Sequence, residues 1–421
     1  MFLIKSKEKQ KLFANVVSLF VLQGSNYIIP LISIPYLFKK LDVEKFGLVN
    51  FSFAFIQYFI ILTDFGYNLS ATKAIAEHRD DKIKTQQIFN SVIGAKFLLC
   101  LAGFIALLII VLCVPDFSAN KSIYFISYFM VLGNVLFPIW FFQGMEKMKL
   151  ITWLSISLKL VAIIPLFFLV KTSADYLYVP TLNSIAWLAC GIASLYLIRK
   201  DFDIRLGTTS FQEIKKSLKE SGPFFLSRVS VSLYTTSNVF ALGLYSGNTS
   251  VGFYSAAEKL FQALQNAYSP INSSLYPFMT KNRDLKLFKK VFTIAVTFNV
   301  LLISTLLYFS HDIITLFYKK EALESVRVFQ LLLIACLVIV PSVMLGYPFL
   351  AALGYSNFTN KTVIAPSILH LVGLIVLVVT HSFTIYTVAG MVIVTESLVL
   401  ISRIYGVFNF GLFKLRSGIA S

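Results

Sequence analysis

Apolar residues run down this chain in long blocks separated by short clusters of charge, a rhythm that predicts helices crossing a membrane. The blocks fall at about 12–38, 46–68, 88–113, 121–143, 150–170, 176–198, 222–245, 251–275, 289–310, 326–352, 362–381 and 384–407. They predict an all-α polytopic membrane protein of about 12 transmembrane helices, the last pair joined only by a turn at His381-Ser382-Phe383.

Four blocks carry polar residues at helical spacing. In the second, Asn50, Gln57 and Asp64 lie seven residues apart, close to two helical turns. The eighth carries Glu258, Gln262, Gln265 and Asn272, with Lys259 alongside. The first has Gln23, Asn26, Pro30 and Ser33; the seventh has Arg228, Ser232, Thr235 and Asn238. An unsatisfied polar group in hydrocarbon is expensive, so each stripe must face protein or water. Two readings stay open: hydrogen bonds between helices, worth about 1 kcal/mol each, or the lining of a wet central cavity.

Two echoes suggest a duplication. Gly47 and Gln57 recur with the same separation as Gly252 and Gln262, and Pro138 with Gly144 recurs as Pro348 with Gly354. The longest break in hydrophobicity divides the chain near its midpoint. The expected organisation is an N-terminal six-helix lobe (1–198), a basic cytoplasmic linker (199–221) and a C-terminal six-helix lobe (222–421), related by a parallel repeat. The cavity is expected between the lobes.

Composition agrees with a membrane protein. Of 421 residues, 57% are hydrophobic and 14% charged, with mean hydropathy +0.77; soluble domains carry about 25% charged residues. The net charge of +17 is concentrated in alternate loops: Lys5 to Lys11, Lys73 to Lys84, Arg199 to Lys219 and Lys281 to Lys290. That is the positive-inside pattern and not a nucleic-acid footprint, and it places both termini in the cytoplasm. The N-terminal apolar stretch is too long, and too polar at Gln23 and Asn26, for a cleaved signal peptide.

Charges inside the blocks cost at least about 2.5–3.5 kcal/mol each at mid-membrane unless paired or hydrated. Asp64 and Arg403 lie near enough to block ends to snorkel. Arg228 and Lys259 are deeper and share the stripe helices, whereas Lys96 and Lys159 suit structural ion pairs. Surplus positive charge in the cavity would suit an anionic passenger such as a phosphate-bearing lipid. The substrate-binding candidates are therefore Arg228, Lys259, Gln57, Gln262, Asn50, Asn26 and Asn238. The candidates for ion coupling are Asp64, Glu258 and Glu396. Pro30, Pro35, Pro270 and Pro277 can bend the helices that carry these groups.

Enzyme chemistry finds little support. His78, His311, His370 and His381 are scattered, and no metal-ligand or nucleophile–base spacing occurs. Cys100, Cys113, Cys190 and Cys336 read as small core hydrophobes. Asp201-Phe202-Asp203 resembles a metal–nucleotide-sugar pair but has no nucleotide-binding domain around it. Without a phosphate-binding loop, ATP is not hydrolysed, so transport must run on a gradient or on substrate turnover. No catalytic residue, metal or cofactor is expected.

The run Gly24-Ser-Asn26 through Pro30 and Pro35, then Glu44-Lys-Phe-Gly47-Leu-Val-Asn50, then Gln57 through Asp64-Phe-Gly66-Tyr-Asn68-Leu-Ser70, resembles the bacterial oligosaccharide flippases. These are the O-antigen, Wzx-type translocases of the polysaccharide transport family, which share a superfamily with the multidrug and toxin extruders. The motif covers about residues 24–80; size and span count extend the likeness to the whole chain. The resemblance implies an inner-membrane protein that turns undecaprenyl-pyrophosphate-linked oligosaccharide units from the cytoplasmic to the periplasmic leaflet by alternating access. It also implies coupling to proton or sodium movement and association with a polysaccharide polymerase and chain-length regulator.

Alternatives are a multidrug or cation antiporter of the same superfamily, disfavoured by the absence of a carboxylate in the first block, and a membrane-embedded glycan polymerase or ligase, disfavoured by the short outer loops. A peptidoglycan-precursor flippase would be expected to have additional spans.

Overall fold

A computed structural model describes the backbone of residues 2–318 and 320–412, and the side chains of residues 30–225, 229, 236–272, 274–318 and 320–412. Helices account for almost all of the regular structure, and no strand occurs among the described residues. The chain forms two compact units, Met1–Ser232 and Leu233–Ser421.

The first unit opens with α1 (Phe2–Asp64), interrupted at Asp42, whose φ is 60°. The Asp42 carboxylate accepts from the Lys45 amide at 2.9 Å, capping the second half of the helix. Phe65 and Gly66, both with positive φ, end α1 and start α2 (Tyr67–Glu77). There follow α3 (Lys82–Cys113), α4 (Pro115–Ser118), α5 (Lys121–Leu136), α6 (Ile139–Gly144), α7 (Met148–Leu169) and α8 (Tyr178–Phe202). α5 packs on α8, α7 on α8, and α1 and α3 on α5. Small residues let α5 and α8 meet closely: a Cβ at Gly133 would lie 2.5 Å from the Trp187 backbone, and one at Gly191 would lie 2.6 Å from Leu136. Ser184 and Ser194 donate across the same seam to the carbonyls of Ile126 and Leu136.

The basic segment after α8 is only partly irregular. Helix α9 (Phe211–Tyr245) begins inside it and contains the boundary between the units. Its start is a capping box, in which Ser210 Oγ accepts from the Glu213 amide and the Glu213 carboxylate accepts from the Ser210 amide.

The second unit continues with α10 (Gly247–Ala267), α11 (Ser269–Asn282), α12 (Leu285–Tyr308), α13 (Ser310–Tyr318) and α14 (Glu324–Leu345). A single π turn at Gly346–Ala351 leads to α15 (Ser356–Val379) and α16 (Ile385–Asn409). Here α14 packs on α16, α15 on α16, and α10 and α12 on α14. Buried polar groups tie the seams: Asn299 donates to the Cys336 carbonyl, and Ser325 donates to that of Phe253.

Nine helical segments among the described residues are long and apolar enough to cross a membrane. The difference from the expected twelve has identifiable sources. Most of the first block and part of α9 lie outside the described side chains, and the polar stripe of α10 lowers its hydropathy. The outer faces confirm the solvent. On α3, Leu98, Leu101, Ile105, Ile109 and Leu112 are all exposed on one stripe; such a patch is rare on a soluble monomer and natural against lipid. The protein is therefore a multi-pass membrane protein.

Candidate functional site

Two adjoining chambers lie inside the second unit. The larger, about 450 Å³, is lined by Gln265, Tyr268, Asn272, Glu396 and Arg403 among apolar side chains of α12 and α14. The smaller, about 120 Å³, is lined by Asn238, Tyr254, Glu258, Gln262, His370 and Thr395, and shares Gln265, Ile339 and Glu396 with the first. On α10, Glu258, Gln262 and Gln265 line the smaller chamber; Gln265 and, on α11, Asn272 line the larger. This follows from the 3.6-residue period, which gathers residues four and seven apart on one face.

A chain of hydrogen bonds crosses the smaller chamber. Asn238 donates from Nδ2 to the Tyr254 hydroxyl at 3.1 Å and presents Oδ1 to His370 Nε2 at 2.8 Å. His370 Nδ1 lies 2.7 Å from Thr395 Oγ1, which also donates to the Met391 carbonyl at 2.8 Å. One threonine proton cannot serve both acceptors at once, so the proton on the imidazole and the threonine rotor are linked. The network joins α9, α10, α15 and α16.

Arg403 is buried at the edge of the larger chamber. Its Nη1 donates to the Ser342 carbonyl at 2.7 Å and to Ser342 Oγ at 3.2 Å, and its Nε donates to Thr362 Oγ1 at 3.3 Å. A Cβ on Gly346 would come within 2.8 Å of the guanidinium, so glycine is what leaves that room. The expectation that Arg403 snorkels is corrected: it turns inward because three oxygens on α14 and α15 replace water. Asn272 lines the larger chamber, and its Oδ1 is buried without a hydrogen-bond partner among the described residues.

In the first unit the stripe on α1 is divided among three roles. Asn50 donates to the carbonyl of Phe46 on its own helix at 2.9 Å. Gln57 is exposed. Asp64 receives Lys96 Nζ at 3.0 Å, with Asn68 at 3.4 Å, and Lys96 also reaches Asn134 Oδ1 at 3.4 Å. Asp64 therefore does not snorkel freely; it neutralises a lysine that is 1% exposed, as a structural ion pair requires. Lys259, half-buried beside Glu258, lines neither chamber. The side chains of Asn26 and Arg228 lie outside those described. Among the described residues, the chambers are lined by two carboxylates (Glu258 and Glu396), one guanidinium (Arg403), one imidazole (His370) and two phenols (Tyr254 and Tyr268).

His370, Thr395 and Arg403 were not among the expected site residues. An ionisable side chain in mid-membrane was the available signal for His370 and Arg403; nothing in the sequence marks Thr395. The acidic pair at Asp201 and Asp203 has another use. Asp203 closes α8 with φ 51° and pairs with Lys82 and Arg205. The hydrogen bond and charge of Lys82, followed by the charge of Arg205, hold its carboxyl below the usual range. No metal-ligand cluster occurs among the described residues.

An all-helical, multi-pass chain with polar groups lining internal chambers is the architecture of a membrane transporter. The fold is shared with a lipid II flippase, MurJ, in an inward closed conformation: TM-score 0.75, 15% identity, 94% of this chain and 87% of that one. An inward-facing multidrug transporter of the MATE family matches with TM-score 0.68 at 13% identity, over 96% of this chain and all of that one. The family described as polysaccharide biosynthesis protein matches residues 12–283. A protein of Shigella dysenteriae named "Putative O-antigen transporter" is 31% identical over 85% of this chain and 90% of its own length. A protein of the same name from Escherichia coli (strain K12) is 38% identical over 68% of this chain and 69% of its own. The chain belongs to this polysaccharide biosynthesis family.

Proposed function

We propose that this protein is a flippase. It carries undecaprenyl-pyrophosphate-linked O-antigen or related oligosaccharide units from the cytoplasmic to the periplasmic leaflet by alternating access, and is not an enzyme. The observation that supports this best is a chamber lined by amides, a tyrosine, a glutamate and an arginine in a chain whose relatives are named O-antigen transporters. Such a lining offers both donors and acceptors to a hydroxyl-rich glycan.

The setting is the bacterial inner membrane with both termini cytoplasmic, as the alternating basic loops favour. Two six-helix lobes, 1–198 and 222–421, joined through 199–221, are supported by matched packing. The fourth expected span meets the sixth in the first unit as the tenth meets the twelfth in the second, and the pairs 5–6 and 11–12, 3–4 and 9–10, and 2–4 and 8–10 correspond likewise. Gln262 and Asn238 are favoured as substrate contacts by their place on the chamber; Gln57, Asn50, Asn26, Arg228 and Lys259 remain proposed contacts. An ion gradient drives the cycle, with Glu396 and Glu258 favoured over Asp64 as coupling groups because Asp64 already has a lysine. A polymerase and a chain-length regulator are the proposed functional partners.

Deletion of the gene, followed by analysis of lipid-linked oligosaccharide with leaflet assignment, tests the reading. Single repeat units trapped in the cytoplasmic leaflet, with surface polymer lost, are expected. Units accumulating in the periplasmic leaflet would point to polymerisation instead. The two chamber carboxylates favour one second reading, a cation antiporter; drug sensitivity with normal surface glycan would support it.

A further inference from the structure

A separate groove of about 770 Å³ opens on the second unit at the start of α12. Its floor is aromatic and aliphatic: Phe288 stacks on Phe349 at 4.3 Å and on Phe292 at 5.8 Å, with Leu345 and Val407 buried beside them. Its outer wall carries the exposed Ile404 and Phe408 of α16. At its mouth stand Arg283, Lys286 and Lys289, all exposed, with Asp284. The charge of Asp284 is already directed at the helix start, where its carboxylate accepts from the Leu287 amide at 3.0 Å. Three cations thus face a trough of hydrocarbon with one engaged carboxylate among them.

We propose that this groove is a binding site for an acidic phospholipid, with its phosphate between Arg283, Lys286 and Lys289 and an acyl chain along Phe288, Phe292 and Phe349. Charge complementarity selects this occupant: basic pockets at the end of membrane helices attract anionic headgroups. The chain's own C-terminal segment fits less well. Residues 413–421 contain Lys414 and Arg416 and no acidic residue, so they would bring like charge to a cationic mouth. The site is distinct from the polar chambers and does not depend on the proposed transport reaction.

Titration of the full-length, detergent-purified protein with phosphatidylglycerol or phosphatidylcholine, followed by native mass spectrometry, tests the proposal. The wild type is expected to bind phosphatidylglycerol at least about tenfold more tightly. The variant R283Q/K286Q/K289Q is expected to lose that preference, and R283K/K286R/K289R to keep it. I404W, which fills the wall of the groove, is expected to weaken both lipids. Equal affinity of the wild type for the two lipids, or a preference untouched by the triple Gln variant, would overturn the proposal. So would phosphatidylglycerol binding that rises about tenfold on removal of residues 413–421, since the chain's own end would then be the occupant.

Discussion

His370 Nε2 lies 2.8 Å from Asn238 Oδ1, joining two residues 132 apart in sequence. The same imidazole reaches Thr395 at 2.7 Å, so one side chain ties α9, α15 and α16 around the smaller chamber. Replacing it by alanine strands a buried amide oxygen as well as removing packing. His370→Ala is expected to cost about 1–3 kcal/mol, read as a lower unfolding temperature in detergent. His370→Gln, which can still donate to Asn238, should recover part of the loss. Equal destabilisation by both would show that packing and not the hydrogen bond holds the helices.

The ion pair of the first unit should respond asymmetrically. Lys96 is 1% exposed, whereas the Asp64 side chain keeps 28% of its surface. Removing the carboxylate leaves a deeply buried ammonium, so Asp64→Asn is expected to destabilise by about 3–5 kcal/mol. Lys96→Met leaves a carboxylate with access to water and should cost clearly less. The double variant should be more stable than Asp64→Asn alone. Thermal unfolding of the three proteins decides the matter, and a Lys96→Met loss equal to that of Asp64→Asn would contradict the asymmetry.

Asp203 supplies a pH dependence whose sign is fixed. Its folded carboxyl titrates below the ordinary value because Lys82, and then Arg205, favour the anion. The link it makes between α3 and the end of α8 is therefore complete above the usual carboxylate range and is lost as pH falls through the folded value. Because the pair is exposed, the effect is small. Asp203→Asn should melt slightly below the wild type near neutral pH, and the two curves should converge in acid. A gap that widens on acidification would reverse the assignment.

The α10 stripe of Glu258, Gln262 and Gln265 was legible in the sequence because the membrane forces polar residues onto a shared face; Asn272, read as its continuation, lies on α11 beyond the break at Tyr268. The same spacing on α1 did not foretell three separate roles. Asn50 turns to its own helix carbonyl, Gln57 is exposed, and Asp64 finds Lys96. Periodicity fixes the face of a helix; the rotamer and the partner come from other helices. Arg403 was visible as an intramembrane charge and His370 only as one of four scattered histidines; Asn238, Ser342 and Thr362 became their partners only through packing between distant segments. The breaks at Pro138 and Pro348 were legible as an echo, yet one became a short helix and the other a π turn.

Gly346 and Arg403 act as one device, and a double-mutant cycle can show it. The guanidinium passes over Gly346, where a Cβ would stand 2.8 Å from Cζ and Nη1. Gly346→Ala must therefore push Arg403 away from the Ser342 carbonyl, or move the π turn that carries the glycine. A hydrogen bond to a charged group is worth about 1.5–3 kcal/mol, and a loss of that order is expected from the substitution. Arg403→Lys should also destabilise, because an ammonium cannot reproduce the forked contacts to Ser342 and Thr362. In an Arg403→Met background, with the guanidinium absent, Gly346→Ala should cost less than about 0.5 kcal/mol, since residues acting through one contact are not additive. Unfolding of the four proteins in detergent gives the coupling directly. Additive losses would mean that the glycine serves the backbone of the turn and not the arginine.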